Sequence, residues 1–323
     1  PGWRSRAAML TVMIDASGDI WSERESVNGA GAAARAGNLV PKGATLTTAM
    51  EALLTFMNAY LLLDERNTLS VLGWGIGRHC AVLWPRRARG GSAPQESTRS
   101  MEDVVMDSLR ELLAEESEGD ESRADGSTGA SQFGTALSRA LCQHNRRING
   151  GVAASSAPEG GGEAAAATAK SEGRRPGRIF AVQVSEDHAA EYVQVMNCIF
   201  CAKKMGVVID SCVLGRADSA LLEQASSLTG GLNLRVGLEK QRHPVLLGTL
   251  LANFLPEPAL RARALTDLHP SKTVSQKAVC FATHEPVDIA RVCSVCLAVF
   301  ERSAADAMAA CASCGSTISR ALA

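Results

Sequence analysis

Two cysteine pairs near the C-terminal end of the sequence have the spacing of a metal site. Cys293 and Cys296 form one Cys-x-x-Cys motif, Cys311 and Cys314 form a second, and residues 297–310 separate them. Each such turn brings two thiolates within reach of one ion, and two turns complete a tetrahedral shell. Because four thiolates leave no position for water, the spacing predicts one structural, non-catalytic Zn²⁺. The alternative is a surface tail with reduced cysteines.

The chain has ten cysteines, and the remaining ones have different surroundings. Cys280 and His284 precede the first pair at ligand-like spacing. Either could replace one cysteine or belong to a partial second site, although packing beside the metal site is favoured. Cys198 and Cys201 form another Cys-x-x-Cys, but it lies within a helical pattern, which disfavours a thioredoxin-like redox site. We predict five buried core thiols: Cys80, Cys142, Cys198, Cys201 and Cys212.

A second group of candidate ligands carries oxygen atoms. Asp15 closes an apolar strand pattern and is followed by Ser17, at the kind of strand end where open α/β sheets bind ligands. Thr135 opens a predicted helix and Asp187 follows a later strand, so these side chains could meet and bind Mg²⁺. The set resembles in part the magnesium site of von Willebrand factor A domains, but Asp19 stands where a second serine is expected. We therefore favour a vestigial strand end over bound Mg²⁺.

The elements that would position these residues follow from the apolar pattern. Uninterrupted apolar runs predict buried parallel strands at Met9–Ile14, Leu69–Trp74, Ile179–Val184 and Val207–Leu214. An antiparallel edge strand is predicted at Ala81–Trp84, joined by a turn at Gly77. Helical spacing links the strands at Leu46–Leu61, Val193–Lys204, Leu221–Leu228 and Val245–Leu255. This alternation predicts an α/β, Rossmann-like fold: a mainly parallel sheet with helices on both faces.

Composition excludes several classes of function. Lys and Arg number 33 against 34 for Asp and Glu, a net charge of -1, which disfavours binding to nucleic acid or a membrane surface. The longest apolar runs, Leu53–Leu63 and Leu246–Leu255, fall short of the ~20 residues of a membrane span. With no signal-peptide pattern near Pro1, we expect a soluble, intracellular protein. The scattered histidines and the absence of a nucleophile elbow or phosphate loop predict no catalytic set.

Several stretches resemble one family, the small von Willebrand A subunit of general transcription and DNA repair factor IIH. The resemblance covers most of the chain that is expected to be ordered and keeps the order of the elements. The stretches that carry it are Met9–Asp15, Ala140–Cys142, Arg178–Asp187, Tyr192–Phe200, Ile209–Leu214, Thr229–Leu232, Phe254–Pro256 and Val292–Cys296. The sequence departs from the family in its Gly/Ala-rich insertions and in a longer loop between the cysteine pairs.

The resemblance implies a function. Members are non-catalytic structural subunits of the factor IIH core, act in nucleotide-excision repair and in initiation by RNA polymerase II, and work in the nucleus. The main partner in the family is the larger von Willebrand A subunit, which regulates a helicase and whose zinc-binding module docks on the small subunit. Family members also have degenerate strand-end metal motifs, which agrees with a vestigial site at Asp15 and Ser17.

The resemblance and the composition together predict the organisation of the chain. We expect an N-terminal tail at 1–8, a von Willebrand factor A-like domain at 9–260, a linker at 261–279 and a C-terminal four-cysteine zinc finger at 280–320. Within the large domain, segments rich in Gly, Ala, Ser and charge predict disordered insertions at about 22–41, 85–100, 115–130 and 150–177.

Two other functions remain open at this point. One is a magnesium-dependent, ligand-binding von Willebrand A module with a zinc appendage, which would use the oxygen ligands of the strand ends. The other is a nucleic-acid binder that uses the finger through Arg291, Arg302 and Arg320. The first predicts a thermal response to magnesium, and the second predicts a steep dependence of binding on salt.

Overall fold

The computed structural model describes residues 8–17, 21, 46–75, 80–85, 99–120, 132–149, 177–188, 191–215, 218–236, 243–264, 278–283, 286–312 and 314–317. The predicted insertion 22–41, most of the insertions 85–100 and 150–177, the turn at Gly77, His284 and Arg320 lie outside these residues.

The body is built on one six-stranded sheet with the strand order β3-β2-β1-β4-β5-β6. All neighbours run parallel except β3, which pairs antiparallel with β2 at the edge. The strands are β1 (Met9–Asp15), β2 (Thr68–Trp74), β3 (Cys80–Trp84), β4 (Arg178–Gln183), β5 (Val208–Val213) and β6 (Asn233–Arg235). The predicted α/β, mainly parallel sheet is therefore confirmed, and the order with an antiparallel edge strand is that of a von Willebrand factor A-like fold.

Helices cover both faces of the sheet, as the alternating pattern predicts. They are α1 (Leu46–Leu63), α2 (Met101–Asp120), α3 (Phe133–Asn149), α4 (Tyr192–Met205), α5 (Ala220–Thr229), α6 (His243–Thr249) and α7 (Pro258–Ala264), with a π-helical turn at Leu250–Phe254 after α6. Helices α1, α2 and α6 pack on one face and α3, α4 and α5 on the other. Side chains of β1 alternate between the two cores, with Val12 in the first and Met13 in the second.

Aromatic rings fix the first core. Phe180 of β4 lies between Phe56 of α1 and Phe254 of the π-helical turn, with ring centroids 5.3 and 4.6 Å away. Tilted aromatic pairs of this kind contribute about 0.5–1.5 kcal/mol each beyond the burial of their area. The stack therefore links the sheet, a helix near the start of the domain and the helical segment at its end.

Helix α1 is the one segment within the described ranges that matches a membrane span in length and composition. Its 18 residues have a mean hydropathy of 1.4, and 39% of the window is buried. Core helices of globular domains have the same composition. The buried residues of this helix, from Ala49 to Tyr60, lie in the first core.

Three boundaries differ from the predictions. The segment 115–130, expected to be disordered, begins within α2, which continues to Asp120. At the end of the insertion 85–100, Ser100 caps the same helix, because its hydroxyl accepts a hydrogen bond from the Asp103 N–H at 3.1 Å. Helix α7 crosses the predicted boundary between the domain at 9–260 and the linker at 261–279; it begins at Pro258, whose fixed φ and missing N–H suit a first helical turn.

A buried ion cluster joins the sheet to Arg261, the first residue of the predicted linker. Asp210 at β5 is fully buried and pairs with Arg178 of β4 at 3.1 Å and with Arg261 of α7 at 2.6 Å. Both arginines also donate to main-chain carbonyls around the π-helical turn, at Asn253, Phe254 and Pro256. Through these contacts, Arg261 of α7 packs against the sheet.

The C-terminal segment has its own small core. Strand β7 (Ala278–Val279) pairs with β8 (Pro286–Val287), β9 (Ala290–Val292) pairs with β10 (Val299–Glu301), and helix α8 (Arg302–Ala307) follows. Phe281 packs against Phe300 edge to face, with centroids 5.9 Å apart. The packed cluster of this core contains the buried residues Cys293, Ala298, Phe300, Ala305 and Cys311, and Cys280 and Val287 are also buried. We call this segment, residues 278–317, the finger.

Candidate metal centre and strand-end site

Both Cys-x-x-Cys motifs of the finger fold into the same backbone turn, which we call a knuckle. In the first knuckle, the Cys293 carbonyl accepts from the Leu297 N–H at 2.9 Å, and in the second the Cys311 carbonyl accepts from the Gly315 N–H at 2.8 Å. The residue after each second cysteine is left-handed, with φ of 61° at Leu297 and 70° at Gly315. The two turns therefore have the same conformation, and each one orients its two sulfur atoms in the same way. A metal site built from two Cys-x-x-Cys turns requires this arrangement.

The two knuckles bring the four predicted sulfur ligands together. The Sγ atoms of Cys293, Cys296, Cys311 and Cys314 all lie within 4.8 Å of one another. Cys293 Sγ is 3.7 Å from Cys314 Sγ, and Cys296 Sγ is 3.6 Å from Cys311 Sγ. A tetrahedral ion with metal–sulfur bonds of ~2.3 Å has sulfur–sulfur edges of about 3.8 Å, whereas a disulfide is ~2.0 Å long. The cluster therefore fits one metal ion of that size held by four thiolates.

Hydrogen bonds around the sulfur atoms favour the thiolate form. The Cys296 N–H, the Ser316 hydroxyl and the Val295 N–H lower the pKa of the Cys293 thiol to about 6. Hydrogen bonds from the Ser316 hydroxyl and N–H also lower the pKa of Cys314. Deprotonated sulfur is the form that binds metal, so these hydrogen bonds favour the form in which the side chains could bind an ion.

Cys280 lies outside the cluster of four sulfur atoms. It is fully buried, and its Sγ accepts a hydrogen bond from the Glu301 N–H of β10 at 3.2 Å. Its sequence spacing left a ligand role open, but its structural position is beside the β9–β10 pair.

The prediction of five buried core thiols is correct only in part. Cys212 is buried, Cys80 and Cys198 are half-buried, and Cys142 and Cys201 are exposed. Burial raises the pKa of Cys198 to about 11, so this side chain stays a neutral thiol at neutral pH. A neutral thiol is a weak nucleophile, which disfavours redox chemistry at the Cys198–Cys201 motif. Cys142 and Cys201 lie on the outer sides of α3 and α4. Residue type alone suggested burial, but position on the helix decides it.

The strand-end carboxylate of Asp15 is saturated by hydrogen bonds from the protein. Its Oδ1 accepts from the N–H and hydroxyl of Ser17 at 3.1 and 2.6 Å. Its Oδ2 accepts from the Val184 N–H at 3.0 Å and from the N–H and hydroxyl of Ser185 at 2.7 and 2.5 Å. These donors occupy the directions in which a cation would bind. Because Val184 and Ser185 follow β4, their hydrogen bonds to Asp15 also hold β1 against the end of β4.

Asp187 is engaged in the same manner. Its Oδ1 accepts from the Ser219 hydroxyl at 2.6 Å and from the Gln183 side chain at 3.1 Å, and its Oδ2 accepts from the Leu221 N–H at 3.0 Å. This carboxylate therefore anchors the first turn of α5 to the end of β4. Thr135 lies in the first turn of α3 and is exposed.

Sequence reasoning missed several residues of these sites. Ser185 and Ser219 complete the carboxylate networks, and Ser316 contacts two sulfur atoms of the cluster. Glu191, itself buried, accepts from the Gly134 N–H at 3.2 Å near the start of α3. For Ser316, a signal is present in the sequence, because it lies only two residues after Cys314; for the others, the partners are distant in sequence.

The fold and the cysteine cluster together define a class: a von Willebrand factor A-like domain with a C-terminal four-cysteine module whose geometry could hold a metal ion. The family described as transcription factor Tfb4 matches residues 7–315, a range that includes the sheet domain and the cluster. The chain therefore belongs to the Tfb4 transcription factor family.

Named relatives agree with this family. The chain is 29% identical over 284 residues to general transcription factor IIH subunit 3 of Dictyostelium discoideum, covering 84% of this chain and 67% of that protein. It is 26% identical over 340 residues to general transcription and DNA repair factor IIH subunit TFB4 of Yarrowia lipolytica, covering 97% and 87%. The crystal structure of the TFIIH p34 N-terminal domain is similar in fold, with a TM-score of 0.52, 24% identity, and coverage of 75% of this chain and 97% of that one.

Proposed function

We propose that this protein is a non-catalytic structural subunit of the general transcription factor IIH core. In that role it acts in nucleotide-excision repair and in transcription initiation by RNA polymerase II, within the nucleus. The observation that carries the proposal is the family match over residues 7–315, which includes both the six-stranded domain and the finger. Relatives that share this arrangement are named as subunits of factor IIH.

Assembly through protein–protein contacts is the proposed mechanism. The carboxylates at the strand ends are engaged in internal hydrogen bonds, so they support a rigid body and not acid–base chemistry. The finger exposes four aliphatic side chains, which are 57–73% accessible: Ile289, Val292, Val295 and Leu297. Exposed aliphatic side chains of this size are available to pack against another protein. The proposed main partner is the larger von Willebrand A subunit, which regulates a helicase.

We also propose that the finger holds one structural Zn²⁺ through Cys293, Cys296, Cys311 and Cys314. Support comes from the sulfur–sulfur distances of 3.6 and 3.7 Å and from the all-thiolate donor set. The ion would close the two knuckles on each other and supply folding free energy to a core of few buried residues. Cys280 takes no part in this proposal, since its sulfur accepts from a main-chain N–H of β10.

For the strand ends, the proposal is a vestigial site that binds no Mg²⁺. Asp15 accepts five hydrogen bonds from Ser17, Val184 and Ser185, and a cation would have to displace several of them. Mg²⁺ also loses its water shell reluctantly. This geometry disfavours the alternative function, a magnesium-dependent ligand-binding module.

Direct nucleic-acid binding is not part of the proposed function. The net charge is -1, and Arg291 of the finger is paired with Asp306 at 2.8 Å. A partly neutralised arginine adds little to the attraction of a phosphate backbone.

Affinity purification of the tagged full-length chain tests the proposed function. We expect the helicase-containing factor IIH core to co-purify with the unmodified chain. The double variant Cys311→Ser, Cys314→Ser should lose the contacts that depend on the finger, whereas Cys142→Ser, which changes an exposed thiol of the body, should retain the whole core. Recovery of the unmodified chain without the helicase-containing core would contradict the proposed function.

A further inference from the structure

We infer that Ser316 is a positioning residue of the four-cysteine site, where its hydroxyl lies beside sulfur atoms of both knuckles, donates to one of them at a time and stabilises the metal-bound form. The inference rests on the proposed zinc site and deepens it. Ser316 Oγ lies 3.0 Å from Cys314 Sγ and 3.4 Å from Cys293 Sγ. Since those sulfur atoms are 3.7 Å apart, the hydroxyl lies beside one edge of the sulfur tetrahedron.

The charge of the site gives this hydroxyl a role. A Zn²⁺ ion with four thiolates has a formal charge of about -2, located largely on sulfur. A hydroxyl that donates to a metal-bound thiolate disperses part of that charge and holds the sulfur in place. Its single proton serves one sulfur at a time, and the shorter distance favours Cys314. Outer hydrogen-bond partners of this kind typically change metal affinity by about 10–100-fold.

Comparison of the two knuckles separates this role from the folding of the turn. The Ser316 carbonyl accepts from the Cys311 N–H at 2.7 Å, as the Ala298 carbonyl accepts from the Cys293 N–H at 2.9 Å. Ser316 therefore occupies the position that Ala298 has in the first knuckle. Because the first knuckle closes equally well with alanine, the turn does not require the hydroxyl.

Exposure explains why the second knuckle needs an additional donor. Cys293 and Cys311 are buried and Cys296 is half-buried, but Cys314 is exposed. Ala298 lies in the finger core at 1% accessibility, whereas half-buried Ser316 places its hydroxyl at Cys314. The sulfur that water and competing ligands reach most easily is thus the one that the hydroxyl contacts at the shortest distance.

The test compares three variants of the full-length chain. Ser316→Ala removes the hydroxyl, Ser316→Thr keeps it, and Ser294→Ala removes a serine hydroxyl from the exposed tip of the first knuckle. Zinc affinity is measured by competition with a chromophoric chelator, and the thiolate-to-metal charge-transfer band is recorded with Co²⁺ in place of zinc. We expect Ser316→Ala to weaken zinc binding about tenfold and to move the band to lower energy, because the sulfur becomes more electron-rich.

Threonine at position 316 should restore both values towards those of the unmodified chain, and Ser294→Ala should change neither. Equal zinc affinities and equal cobalt spectra for Ser316→Ala and Ser294→Ala would show that the inference is wrong while the four-cysteine site stands. An unmodified chain that binds no stoichiometric zinc would overturn the proposed site and the inference with it. The unmodified chain and the Ser294→Ala variant therefore distinguish the two failures.

Discussion

At the scale of single residues, the carboxylates at the strand ends are joined to the protein by short hydrogen bonds. Asp15 connects β1 with Ser185, and Asp187 connects the end of β4 with Ser219. Hydrogen bonds to a charged acceptor contribute roughly 1.5–3 kcal/mol each, so these contacts hold the edge of the sheet rigid. At the sheet edge where many α/β proteins bind ligands, these two carboxylates instead hold neighbouring segments of the protein together.

One buried side chain predicts a dependence of stability on pH. His144 of α3 is 1% accessible, and its Nε2 lies 3.0 Å from the Thr11 hydroxyl of β1. Burial, with a smaller effect from Arg147, lowers the pKa of His144 from 6.5 to about 4. As the pH falls below 6.5, His144 becomes protonated in the unfolded chain, whereas in the folded chain it stays neutral until about pH 4. Stability from this group is therefore present above pH 6.5 and is lost as the pH falls, by up to ~1.4 kcal/mol per pH unit.

The variant His144→Gln checks this prediction, since glutamine can keep a hydrogen bond to Thr11 and does not titrate. Free energies of unfolding from urea titrations at pH 7, 6 and 5 should fall less steeply for the variant than for the unmodified chain. Equal slopes for the two chains would contradict a buried, neutral His144.

Single residues also show how far sequence reasoning reaches. The cluster of four sulfur atoms was predictable because each cysteine pair is local and its spacing is set by the turn. Ser185 was not, because it meets Asp15 across 170 positions of sequence. Cys142 and Cys201 were predicted wrongly because cysteine is usually buried, whereas the face of the helix on which they lie is exposed.

At the scale of elements, glycine has opposite roles in two helical segments. Gly230 ends α5 with φ of 77°, a conformation that strains any residue with a Cβ. Gly248 lies inside α6 with a φ outside the left-handed range. A Cβ at either position would meet nothing within 4 Å, so packing does not separate them. We expect Gly230→Ala to lower the free energy of unfolding by about 1 kcal/mol, and Gly248→Ala to raise it by about 0.5–1 kcal/mol.

Urea unfolding of the two variants beside the unmodified chain measures both changes. Opposite signs are expected from the same chemical substitution, so each variant is the control for the other. If both variants lost stability, the conformational freedom of Gly248 in the unfolded chain would not be what lowers the stability of α6.

Elements of the body were largely predictable because their apolar runs are long and alternate between strand and helix. Helix ends were less predictable. The acidic composition of residues 115–120 favoured a loop, yet α2 extends through Asp120. The π-helical turn at Leu250–Phe254 could not be foreseen, because its carbonyls are placed by Arg178 and Arg261, which come from other parts of the chain.

At the scale of the whole molecule, removal of the metal should affect one region only. The finger buries few residues of its own, so metal binding, worth on the order of 10 kcal/mol, would decide whether it folds. The sheet domain has two extended cores and does not depend on the ion. We expect a chelator to unfold residues 278–317 and to leave β1 and β4 folded.

Hydrogen–deuterium exchange of the intact chain, with and without chelator, measures this difference. Peptides that contain Cys293 or Cys311 should lose protection, and peptides from Met9–Asp15 and Arg178–Gln183 should keep it. Loss of protection in both regions together would mean that the two parts unfold as one cooperative unit.

The pairing of Asp210 with Arg261 has a consequence for the order of events during synthesis. The ribosome adds residues from the N-terminal end, so Asp210 leaves the exit tunnel well before Arg261, which follows 51 positions later. In a nascent sheet that has all six strands but lacks α7, the buried Asp210 carboxylate has Arg178 as its charged partner and the Leu232 N–H as a donor, without the second arginine. Since a buried charge is costly until it is fully paired, we expect the sheet domain to reach its full stability only once Arg261 of α7 has emerged.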